Sequence, residues 1–87
     1  MAREMPETPY APGELIVAFH ETASMERIIE IVDEEGGRIG KALGGKNHFL
    51  IMLSEEADIP KAAERFSAHP EVRFAEPNYR VELLERK

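Results

Sequence analysis

The chain has 87 residues, a formal net charge of −6 and no cysteine. That length admits one domain, which buries about 60–65% of its unfolded surface, and the lack of cysteine excludes a disulfide framework or a thiolate metal site. The acidic balance argues against a nucleic-acid surface and against anionic membranes, and no apolar run approaches the ~20 residues of a membrane span.

Residues 1–12 contain Pro6, Pro9 and Pro12 without periodicity and read as a flexible N-terminal arm, with no apolar core of an export signal. The domain proper is expected over 13–79, with an extended tail over 80–87. Gly13 opens a first strand, Glu14 to His20, with Leu15, Val17 and Phe19 on one face and Ile16 and Ala18 on the other. Thr22 or Ser24 can cap a helix whose apolar stripe is Met25, Ile28, Ile29 and Val32. Gly36-Gly37 stops that helix.

A second strand spans Arg38 to Leu43, and Gly44-Gly45-Lys46-Asn47 reads as a hairpin turn. The third strand, His48 to Leu53, sets Phe49, Ile51 and Leu53 against Leu50 and Met52. Asp58 can cap a second helix with Pro60 in its first turn. Ile59, Ala62, Ala63 and Phe66 form its buried stripe, and His69-Pro70 ends it. In the fourth strand Val72 and Phe74 alternate with Arg73 and Ala75. Pro77 has no N–H to give and holds Glu76 extended, so pairing is expected to end there, with a partial return over Tyr79 to Leu84.

The order β-α-β-β-α-β predicts an α+β fold of the ferredoxin-like type: a four-stranded antiparallel sheet with two helices on one face. The other sheet face should then meet water and be polar. Ile16 and Ala18 on one strand, with Leu50 and Met52 or their partners on another, make it apolar instead, which marks a docking surface for a partner or a second copy.

Chemistry for catalysis is missing. Ser24, Ser54 and Ser67 sit at helix starts or on helices, without a histidine or acid in convincing context. His20, His48 and His69 have no metal-ligand spacing and read as solvated or capping residues. The glycine pairs do not form a phosphate loop. Neither a cofactor nor a metal is expected, and the chain is read as a non-enzyme.

Two stretches at opposite ends, Pro12-Gly13-Glu14-Leu15-Ile16-Val17-Ala18-Phe19 and Val72-Arg73-Phe74-Ala75-Glu76-Pro77-Asn78-Tyr79, resemble the signature stretches of subtilisin-type serine protease propeptides. The resemblance covers roughly residues 10–84. It implies a ferredoxin-like domain whose open sheet face packs on two surface helices of the protease, with Ile16, Leu50, Met52, Phe74 and Tyr79 as docking residues. It implies that Glu76, with Asn78 as a second, caps the N-termini of those helices, where free N–H groups and partial positive charge favour a side-chain oxygen. The tail, Val81, Glu82, Leu83 and Leu84, would run through the active-site cleft as a substrate-like strand, with Leu84 in the primary pocket and Val81 upstream. In an alternative register Lys87 takes the primary pocket and Leu84 moves upstream. A domain of this kind assists the folding of its protease and then inhibits it.

Relative to a secretory precursor, the sequence shows no signal-peptide core and no protease after Lys87; an extracellular location follows only for the propeptide of a secreted protease. A ferredoxin-like regulatory module that binds a small ligand or pairs sheets as a homodimer is the competing reading, since the fold hosts many functions. A small enzyme of the acylphosphatase type fails, because His20-Glu21-Thr22 offers no arginine-bearing phosphate cradle after the first strand.

Overall fold

The computed structural model describes residues 10–79. Its elements follow as β1 (Tyr10–Phe19), α1 (Met25–Glu34), β2 (Arg38–Ala42), β3 (His48–Met52), α2 (Ile59–Ser67) and β4 (Val72–Tyr79). The sheet order is β2-β3-β1-β4 with every neighbouring pair antiparallel, as the ferredoxin-like expectation requires. Both helices lie on the face presented by Leu15, Val17, Phe19, Phe49 and Ile51, and together they close one apolar core.

The helix termini follow from local chemistry. Ser24 caps α1 by accepting from the Arg27 amide, and Asp58 caps α2 by accepting from the Lys61 amide, each satisfying an N–H that has no partner inside its helix. Gly36 follows the α1 C-cap at φ +81°, a conformation that glycine reaches without a Cβ penalty. The inner face of α1 is Ile28, Ile31 and Val32. Met25 and Ile29, expected in the stripe, are 47% and 52% exposed. Apolar residues cover about half the circumference of α1, so two overlapping stripes satisfy the 3.6-residue period. Packing selects the one that contains Ile31.

Side-chain bonds between the helices and their flanking turns complete this layer. Glu35 at the end of α1 accepts from Arg65 Nε and pairs with His69 Nε2, both at 3.0 Å. Arg27 donates through Nε to Glu71 Oε2 at 2.9 Å. The β2–β3 loop is held to the loop after β1 by Asn47, at φ +54°, whose Nδ2 donates to the His20 carbonyl at 2.9 Å.

Three features of the strands depart from simple alternation. β1 begins at Tyr10, inside the stretch read as an arm, because Tyr10 pairs with Tyr79. β4 runs unbroken through Pro77, which pairs with Leu15, instead of ending there. The physical reason is the sheet order: β4 is an edge strand, and proline is tolerated on an edge, where an N–H has no second strand to serve. The third feature is a bulge. Phe19 pairs with Val72 and Ala18 with Phe74, leaving Arg73 as the extra residue. A bulge reverses the side on which the following residues point. Val72 therefore enters the core while Phe74 turns to the opposite face, and the expected Val72/Phe74 alternation is broken.

Candidate docking face

The face turned away from the helices is set by register. Along β1 it is Glu14, Ile16 and Ala18, and their partners across β3 are Met52, Leu50 and His48. On the other side, Ile16 pairs with Glu76 and Ala18 with Phe74. Arg38 lies beside Met52 and Lys41 beside Leu50 on β2. The face is thus an apolar row, Ile16, Leu50 and Met52, with basic residues toward the β2 edge and acidic residues toward the β4 edge. No described element covers this row, and its three members are half-buried. Sequence alternation pairs Leu50 with Met52 on one face of β3, and the register sets that face beside Ile16.

Ala18 carries the small side chain at the centre of a three-strand row. His48 and Phe74 flank it from either side, and their rings meet edge-on at 5.8 Å between centroids. That contact seals Ala18, which has no exposure at all. Arg73 sits over the Phe74 ring at 5.9 Å. His48 Nδ1 lies 3.1 Å from the Lys46 carbonyl oxygen. His48 is therefore a structural part of the face rather than a solvated turn residue, and His69 is a partner of Glu35. Neither role was visible in histidine spacing, because Phe74 and Glu35 come from distant elements.

The acidic corner is formed by Glu76, which is exposed, and by Asn78 and Glu14. Asn78 Nδ2 donates to Glu14 Oε1 at 2.7 Å across 64 positions of sequence. Tyr79 does not join this group. Alternation after the bulge assigns it to the opposite face from Phe74, and its ring packs edge-on against Tyr10 at 6.4 Å. The proposed tail residues Val81, Glu82, Leu83, Leu84 and Lys87 lie outside the described residues.

No group of three potential metal ligands occurs among the described residues. No helix among them is long and apolar enough to cross a membrane. The electrostatic perturbations belong to the helix layer. The hydrogen bond from His69, aided by Arg65, holds the Glu35 carboxyl below the usual carboxylate range against the opposing effect of burial. Arg27 does the same for Glu71.

The family model of the fervidolysin N-terminal prodomain matches residues 2–78. The chain belongs to this family of subtilase propeptides. Membership of this family points to a regulatory propeptide role toward a subtilisin-like protease. No curated protein matches the chain. The prodomain match ends at Asn78, the residue that closes the acidic corner of the open face.

Proposed function

We propose that this prodomain inhibits a subtilisin-type protease by docking its open sheet face on the protease surface and sending residues 80–87 into the active-site cleft. The observation that carries the reading is the apolar row of Ile16, Leu50 and Met52, which no described element covers, ending in an acidic corner, on a domain of the subtilase propeptide family. Burial of that row removes apolar surface from water. Phe74 extends the row at its β4 side.

Glu76 and Asn78 in this reading place their side-chain oxygens at the N-termini of two protease helices, where unsatisfied N–H groups and the helix dipole favour them. The tail adds main-chain pairing with the cleft, a strand-addition mode in which alternate side chains supply specificity. Val81 and Leu84 fill apolar pockets, with Lys87 as the alternative in the primary one. Affinity won on the remote sheet face is uniform binding and does not speed cleavage of the tail. The same contacts favour the folded protease over its unfolded chain, which is how the domain assists folding.

The test is inhibition of a purified subtilisin-type protease by the full chain and by a version ending at Tyr79. Strong inhibition by the first, much weakened in the second, is the expected result. A folded full chain that forms a stable dimer and leaves the protease unaffected overturns the reading.

A further inference from the structure

The two stretches that carry the family resemblance meet in space, and their meeting point has a specific geometry. Between the pairs Leu15–Pro77 and Tyr10–Tyr79, residues 11–14 of β1 face the single residue Asn78 of β4. This wide bulge is pinned from the β3 side: Gly13, at φ +72°, accepts from the Leu53 amide through its carbonyl at 2.7 Å. The Glu14 carboxylate spans the gap to Asn78 Nδ2 at 2.7 Å. An ionised carboxylate only accepts hydrogen bonds, so the amide atom facing it must be the NH2 group. Asn78 Oδ1 is consequently the atom turned away from Glu14.

An asparagine without this partner can rotate its amide and present either a donor or an acceptor. Only the acceptor suits a helix N-terminus, whose free groups are N–H donors. We propose that Glu14 is a positioning residue for docking: it fixes the Asn78 amide so that Oδ1 is offered to backbone N–H groups of the protease. This inference rests on the docking reading above. Glu14 acts through Asn78, while Glu76 on the same face stands free of this bond.

The test is a set of variants at both positions, read as inhibition constants against the same protease. Loss of a hydrogen bond to a charged group predicts that Glu14→Ala weakens inhibition about tenfold. Asn78→Ala should weaken it similarly, and the double variant should be no worse than either single one, since coupled residues are non-additive. Glu14→Gln retains an acceptor for the Asn78 amide and should restore inhibition. Asn78→Asp sets two carboxylates against each other and should be poor, and E14Q/N78D, with a donor facing the acid, should recover. In the free domain, NMR should show the Asn78 side-chain amide protons slowed in exchange with water, and Glu14→Ala should abolish that protection whether or not binding changes.

If Glu14→Gln is as poor as Glu14→Ala, Glu14 acts by its own charge and the positioning role is overturned. Unchanged inhibition by Glu14→Ala, or additive effects with Asn78→Ala, overturns it as well while leaving the docking reading intact. A wild-type chain that does not inhibit overturns both.

Discussion

Gly13 occupies a backbone conformation of φ +72°, and a Cβ there would lie 2.8 Å from the Leu53 carbonyl oxygen. Positive φ and close backbone approach act together, and neither is relieved by moving a flexible side chain. Gly13→Ala should therefore lower stability by about 1–3 kcal/mol, seen as a lower urea midpoint with an unchanged slope. A midpoint within error of the wild type would remove the strain argument. Glu35 supplies a different kind of residue-scale prediction. Its side chain is 15% exposed, beside a His69 that is 16% exposed, and the fold holds its carboxyl below the usual range. A depressed folded pKa means that the unfolded chain takes up the proton first. The stabilisation is complete above the unfolded pKa and is lost as pH falls through the folded one. Glu35→Gln should cost about 1 kcal/mol near neutral pH, and the gap to the wild type should close below about pH 4. Unfolding curves at several pH values measure this directly; a constant gap down to acid pH would assign the loss to packing.

In the proposed docking mode the sheet makes the partner contact, and its two faces obey different rules. The helix-side face is closed by Ile28, Ile31, Val32, Ile59, Ala62 and Phe66, so alternation there reports a core. On the other side Leu50 and Met52 are neighbours on β3 that no described element covers. Leu50→Glu with Met52→Glu should leave the far-UV CD spectrum intact, because neither side chain supports the helices. The pair should weaken inhibition more than tenfold, since burying an unpaired charge at an interface costs several kcal/mol. Retained potency would relocate docking to another surface. The edges of the same sheet are protected from self-pairing in different ways. β2 carries Arg38, Lys41 and an irregular register between Ile39 and Lys41, and β4 carries Pro77, all features that discourage edge-to-edge association.

For the whole molecule, the proposed function makes sheet face and tail a two-part binder. The tail should raise affinity chiefly through effective concentration once the domain is docked. A chain ending at Tyr79 should then still bind a protease whose active site is chemically blocked, while losing most of its inhibition of the free enzyme. Titration by calorimetry against the blocked protease separates the contributions, and complete loss of binding would show that the tail alone holds the complex. Binding also raises the apparent stability of a small domain by mass action, so the melting temperature of the prodomain should rise with protease concentration.

Much of this architecture was legible along the chain. Element order, the Ser24 and Asp58 caps, the hairpin turn and the alternation of Leu15, Val17 and Phe19 against Ile16 depend on neighbours within a few residues, and local physics determines them. The apolar residues of the open face were legible for the same reason, since a period of two holds within each strand. What only the tertiary structure decided depends on which strands become neighbours. Pro77 continues its strand because β4 is an edge, Phe74 faces outward because Arg73 is an extra residue opposite β1, and Ile31 displaces Met25 and Ile29 because α1 turns that side to the sheet. The Glu14–Asn78 bond joins two positions that alternation alone would not match, because four residues of β1 face one of β4. Local periodicity counts residues along one strand, whereas a bulge is defined only between two.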